Sequence, residues 1–236
     1  MTIIKTAMVL AAGIGSRMRP LTNDRPKALV TVGGKALIDH VLDRLAAAGV
    51  ETAVVNIHHF ADQMIAHLAD RIAPQIKIVD ERAGLLDSGG GIKNALPLLG
   101  PDPFFVANID SLWIDQGVPP LEAMKSAWDP ETMDLLVLLV EKGRGIGFEG
   151  PRGFFLDPAG HVTHSAEDAR PAPFANVGFQ IMKPEILAES PDGAFSILPV
   201  WWRLQDEGRI FGVAMEAFWM HVGDPEAREA AEARLA

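Results

Sequence analysis

The sequence predicts an α/β fold built on a mostly parallel central sheet, and three observations carry that prediction. Apolar strand-like runs alternate with helical periods through the first half: Ala7 to Leu10, Leu37 to Leu45, Thr52 to Ile57, Ala61 to Ala69 and Ile76 to Val79. A β-α-β rhythm of this kind folds into parallel strands joined by right-handed crossovers, with helices on both faces. The first run is continuously apolar rather than alternating, as in a strand buried on both sides. From about Gln116 the rhythm gives way to short runs separated by glycine-rich turns, which adds a smaller β-rich lobe.

Composition narrows the function. The chain has 236 residues, 48% hydrophobic and 22% charged, enough for one substantial core, so residues 1–236 are expected to form a single domain. A formal net charge of −10 argues against nucleic acid, whose phosphates need a basic face, and favours small-molecule substrates. Cysteine is absent, which excludes disulfides, thiolate metal sites and a cysteine nucleophile. No apolar stretch reaches the roughly 18–20 residues that span a bilayer, so no membrane association is expected. The short apolar run near the N-terminus leads into a glycine loop rather than a cleavage site. The expectation is a cytoplasmic protein, monomeric or a small homo-oligomer.

The elements follow in order. After the first strand, Gly13 and Gly15 punctuate the chain, and glycine lets backbone N–H groups approach an anion closely. Arg17, Arg19, Arg25 and Lys27 crowd the same stretch against an acidic background, which marks a dedicated anion site. The dinucleotide fingerprint fails because Met18 stands at its third glycine, and no Gly-Lys-Ser/Thr follows to make a P-loop. The helix over Leu37 to Leu45 stops at Gly49. His58 and His59 end the next strand, and as adjacent residues they point apart, so a polar loop edge is favoured over a metal pair. Three glycines, Gly89 to Gly91, precede a helical period from Ile92 to Leu99; a backbone pressed against a flat ligand is favoured there over a flexible linker.

A fourth strand, Phe104 to Ala107, ends in Asn108-Ile109-Asp110-Ser111. A carboxylate at the end of a buried strand is placed to hold a hard cation, although an Asp-Ser pair also serves as a turn or helix cap. A helix over Leu121 to Trp128, a strand over Met133 to Val140 and a hairpin joining Phe154–Leu156 to Val162 come next, then a strand from Phe174 to Met182. The period over Phe195 to Leu204 is helical, with one of Trp201 and Trp202 expected in the core. Asp224 before Pro225 reads as a helix cap with proline at the first helical position.

The pattern G-x-G-x-R-x-x-P-L-T from Gly13 to Thr22, followed by P-K-A-L from Pro26 to Leu29, resembles the signature of the sugar-1-phosphate nucleotidyltransferases. The resemblance spans essentially the whole chain. It implies a Rossmann-like three-layer mixed sheet with a small β-rich sugar-binding lobe, residues 1–115 forming the nucleotide half and 116–236 the sugar half. Ala11, Ala12, Gly13, Gly15, Ser16 and Arg17 would then hold the nucleotide, with Ser88, Gly89 and Gly90, and less firmly Glu81, near the base. Arg17, Lys27 and Asp110 would be catalytic, and Asp110 would bind Mg2+. Asn108, Asn176 and Glu167 would face the sugar, Asp168 having an equal claim to the role of Glu167. The chain departs from the family's W-x-D-x-G-T run, with His221 where the second metal aspartate is common. His221 is therefore a doubtful metal ligand and Mn2+ an alternative cation.

The implied reaction joins an NTP to a sugar 1-phosphate, giving an NDP-sugar and pyrophosphate. Among subfamilies, the compact length and the L-x-S-G-G-G-I run look most like the enzymes that use UTP and N-acetylmuramate 1-phosphate. Two alternatives stand: a cytidylyltransferase acting on phosphocholine or another non-sugar phosphate, and a nucleotide-sugar-binding protein without turnover. The chain offers no clear aromatic cage for a quaternary ammonium, and a mere binder has little need of Lys27.

Overall fold

The computed structural model describes residues 3–148, 153–164 and 171–235. Four parallel strands, Phe104–Asn108, Thr6–Leu10, Thr52–Ile57 and Gln75–Asp80, lie side by side in that order. Their shared direction brings the carboxyl ends to one edge, where Leu10 pairs with Asn56 on one side and Asn108 on the other. Alternate residues face opposite ways. Met8, Val54 and Val106 therefore enter one apolar cluster with the Asp87–Leu99 and Leu198–Asp206 helices. Their neighbours Val9, Val55 and Ala107 enter the other with the Leu37–Ala47, Ala61–Leu68 and Pro120–Ala127 helices. That is the expected three-layer arrangement. Burying one such side chain stabilises the fold by about 1.5–3 kcal/mol.

Beyond Phe104–Asn108 the sheet becomes mixed. Phe174–Met182 runs antiparallel to it and to Leu135–Glu141, and Ile210–Met215 runs parallel to the latter; with the hairpin strands Phe154–Leu156 and Val162–His164 the sheet has nine strands among the described residues. A register shift between Asn176 and Gln180, with Gly178 at φ 85°, kinks the long strand so that its first residue meets Phe154 of the small hairpin. Among the described residues no helix is long and apolar enough to cross a membrane.

Several local expectations are corrected. The helix expected from Ile92 starts at Asp87 and takes in all three glycines. The helix expected from Phe195 starts at Leu198, because the Phe195 backbone is bonded elsewhere: its N–H donates to the Leu86 carbonyl and its carbonyl accepts from Gly89 and Gly90. Trp201 is buried and Trp202 exposed. Strands at Ser111–Ile114 and Ile210–Met215 carry no alternation that marks them in the sequence. Glu167 and Asp168 lie outside the described residues.

Candidate active site

A cleft of about 360 Å3 opens at the carboxyl edge of the parallel strands. Ala11, Ala12, Gly13, Gly15, Ser16 and Arg17 line one wall, Leu85, Asp87 and Ser88 another, and Lys27, Asn108 and Asp110 the floor. The glycines of the first wall differ in kind. Gly15 has φ 67°, and a side chain there would come within 2.9 Å of the Lys27 Cβ and 3.2 Å of Thr22. Its carbonyl accepts from the Thr22 hydroxyl at 2.9 Å, so the loop folds back over Lys27. Gly13 has no protein atom within 4 Å of where a Cβ would stand, which leaves its backbone open to the cleft. Arg17 is exposed there, whereas Arg25 is paired with Asp24 and lies away from the site.

Lys27 Nζ donates to Asp110 Oδ2 at 2.7 Å, and His221 Nε2 stands 3.5 Å from the same oxygen. Two strands produce this meeting. Ser111–Ile114 pairs antiparallel with Phe218–His221, setting His221 across from Ser111, and Val222 N–H donates to the Asp110 carbonyl at 2.7 Å. Ser111 Oγ, buried, donates to the Val177 carbonyl and accepts from Trp219 Nε1, which fixes the turn. Gly223 leaves room for the imidazole, since a Cβ there would come within 2.8 Å of His221 Cε1. His221 Nδ1 lies 3.0 Å from the Gly147 carbonyl, which can only accept, so Nδ1 carries hydrogen and Nε2 is the nitrogen turned to Asp110.

The charges follow from this packing. Burial pushes the Asp110 carboxyl up, but the His221 hydrogen bond and the Lys27 ammonium outweigh it and hold the group well below the usual carboxylate range. Burial pulls His221 down, and the Asp110 hydrogen bond and charge, helped by the Gly147 carbonyl, more than offset it and raise its pKa. Among the described residues no group of three His, Cys, Asp or Glu side chains is gathered for a metal. The donor set at the cleft floor is one carboxylate and one imidazole.

Residues 7–190 match the model of the MobA-like NTP transferase domain. The chain belongs to the MobA-like NTP transferase family. Along 98% of its length it is 58% identical to an N-acetylmuramate alpha-1-phosphate uridylyltransferase of Caulobacter vibrioides, covering 97% of that protein. It is 36% identical over 92% of both chains to the protein of the same name from Neisseria meningitidis serogroup B. The inositol-1-phosphate CTP transferase of T. maritima superposes with a TM-score of 0.78 at 20% identity, over 99% of this chain and 97% of that one. The last likeness concerns the fold, and the chain is a nucleotidyltransferase on the strength of the first two and the domain match.

Within this transferase, some expected residues stand elsewhere. Gly89 and Gly90 are buried and absent from the cleft wall. Their N–H groups donate to the Phe195 carbonyl at 2.9 and 3.1 Å, and added side chains would strike the Phe195 ring at 2.3 Å and the Gly193 carbonyl at 2.2 Å. They are glycine because the 193–195 segment presses on them. Asn176 also lies outside the cleft wall; its Oδ1 accepts from Gly178 N at 2.8 Å and shapes the turn that seats Gly178 against Asn108. His58 is a loop-edge residue, its Nδ1 bonded to the Glu81 carbonyl at 2.8 Å.

Two residues matter more than the sequence indicates. Asn56 reaches the cleft wall, and its Oδ1 accepts from Ala11 N at 2.7 Å and Ala12 N at 3.3 Å, orienting the start of the transferase's glycine loop. Its Nδ2 donates to Glu81 Oε1 at 2.8 Å. Glu81 is buried and touches no ligand space. The one available signal was a polar residue inside an otherwise apolar strand.

Proposed function

We propose that this transferase moves UMP from UTP to N-acetylmuramate 1-phosphate and releases pyrophosphate. The observation that carries the reading is the 58% identity along 98% of the chain to a uridylyltransferase of that specificity. In the reaction an oxygen of the sugar phosphate attacks the α-phosphorus in line, and the bond from that phosphorus to the α–β bridging oxygen breaks, its electron pair leaving with pyrophosphate. Catalysis of this kind is positioning and charge compensation.

The backbone of Ala11 to Ser16, with the Arg17 guanidinium, holds the triphosphate. Lys27, kept at the cleft floor by Asp110, neutralises charge on the attacked α-phosphate. Leu85 and Ser88 border the base, and Asn108 faces the sugar. We infer that residues 1–115 serve mainly the nucleotide, with Asn108 reaching the sugar, and residues 116–236 mainly the sugar.

Asp110, joined by His221 once its Nε2 proton is lost, would hold a divalent cation that completes its shell with water and phosphate oxygens. Mg2+ bound there would supply charge that lowers the repulsion between the two anionic substrates. The imidazole in place of a second carboxylate makes Mn2+ a competitive alternative. We infer a cytoplasmic enzyme, monomeric or a small homo-oligomer, in keeping with these small-molecule substrates.

Pyrophosphate release is measured for UTP, CTP, GTP and ATP against N-acetylmuramate 1-phosphate, N-acetylglucosamine 1-phosphate, mannose 1-phosphate and phosphocholine. Release confined to UTP with N-acetylmuramate 1-phosphate is expected. A faster rate with CTP and phosphocholine, or UTP binding with no release from any pair, overturns the reading.

A further inference from the structure

We propose that Asn56 and Glu81 form a positioning bracket that sets the distance between the phosphate-holding loop and the base-side wall, and so helps decide which base is accepted. The inference rests on the nucleotide occupying the cleft as proposed above. Asn56 is 3% and Glu81 2% exposed. Asn56 faces two backbone donors, Ala11 N and Ala12 N, so the atom turned to them is its oxygen, and its amino group must face Glu81. Glu81 Oε1 accepts from that amino group at 2.8 Å, while Oε2 accepts from Leu86 N at 3.2 Å. A continuous chain of bonds therefore runs from Ala11 through two buried side chains to Leu86, the residue between Leu85 and Asp87 on the opposite wall.

Two further observations set the pair apart from ordinary core polarity. Among the described residues no ion pair engages Glu81, and a buried carboxyl costs free energy unless hydrogen bonds satisfy it. A neutral apolar residue would fill the space without that cost. Gly91 has its place for the same reason: a Cβ there would lie 2.9 Å from Asn56 Nδ2 and 3.0 Å from Glu81 Oε1. The helix carrying the base-side wall thus gives up a side chain to admit the bracket.

The bonding polarity makes a reciprocal test. In Asn56→Asp, two carboxylates face each other. In Glu81→Gln, one oxygen must serve both Asn56 Nδ2 and Leu86 N, and an amino group meets one of those donors. In the double variant the polarity is reversed and every bond is restored: the new carboxylate at 56 accepts from Ala11, Ala12 and the new amide at 81, whose oxygen accepts from Leu86.

UTP binding is measured by calorimetry, kcat/KM with UTP and with CTP by pyrophosphate release, and folding by thermal unfolding. Each single variant should bind UTP about tenfold more weakly and lose about tenfold of its preference for UTP over CTP, and the double variant should recover both to within about threefold. Single variants that unfold at lower temperature yet bind and select like the wild type would make the pair merely structural. A double variant no better than the worse single also overturns the bracket. If neither single variant folds, recovery of folding and UTP binding in the double variant supports it, and failure to recover overturns it. A wild type that binds UTP but releases no pyrophosphate overturns the transfer reaction while leaving the bracket to be judged on binding.

Discussion

At the scale of single residues the site turns on one oxygen. Asp110 Oδ2 receives Lys27 at 2.7 Å and lies 3.5 Å from His221, so three groups of different chemistry share a point. Lys27→Ala should lower kcat by roughly 100-fold to 1,000-fold while changing the UTP dissociation constant far less, because the ammonium matters most when the α-phosphate gains charge. Equal losses in turnover and in calorimetric affinity would show that Lys27 only binds. His221→Asp restores a second carboxylate and should tighten Mg2+ and reduce the relative advantage of Mn2+. Activity titrated with both cations in both proteins checks this, and superimposable profiles would leave His221 a packing residue between Trp219 and Gly147. The clustering of Gly13, Gly15, Arg17 and Lys27 was open to a sequence reading because these residues lie close together in the chain. Asn56 was not open to it, being 45 residues from the Ala11 backbone it holds.

At the scale of elements, the Asp87–Leu99 helix shows how one run of residues supports two explanations. Ser88-Gly89-Gly90-Gly91 reads as a backbone that meets a flat ligand. In the fold, Gly89 and Gly90 meet Phe195 and Gly193 and Gly91 meets Asn56 and Glu81, while Asp87 and Ser88 reach the cleft. Gly90→Ala should therefore destabilise the protein by about 1–3 kcal/mol through overpacking against the Gly193 carbonyl. For a chain of this size that lowers the unfolding midpoint by several degrees, roughly 2–4 °C per kcal/mol. An unchanged midpoint in calorimetry would mean that the 193–195 segment moves aside at no cost.

At the scale of the whole molecule, the mixed part of the sheet is stitched together where its strands start and end. Asp134 accepts from Arg209 through both oxygens at 2.9 and 3.0 Å and from Lys183 at 2.8 Å, tying Leu135–Glu141 to Ile210–Met215 and to the end of Phe174–Met182. The Arg209 hydrogen bonds, with Lys183, outweigh partial burial and bring its pKa from 3.8 down to about 2. A folded pKa below the unfolded one contributes stability above the unfolded value and loses it as pH falls through the folded one. The wild type should thus lose about 1 kcal/mol through this group between pH 4 and 2, discounted for solvent screening. Asp134→Asn should be less stable at neutral pH and have a flatter acid limb in denaturant unfolding. Parallel limbs in the two proteins would show that this cluster does not set the acid sensitivity.

The sequence by itself determined the α/β class, the three layers and the loop from Gly13 to Thr22, because hydrophobic period, glycine and clustered cations act over a few neighbouring residues. Tertiary structure decided what those neighbours face. It added Phe174–Met182 antiparallel to the parallel strands, made His221 a partner of Asp110 through an antiparallel pairing with Ser111–Ile114, and assigned Gly89 and Gly90 to Phe195 and Gly193. Each of these depends on a contact between segments far apart in the chain, and a local pattern fixes the direction of a side chain without naming the distant surface it will meet.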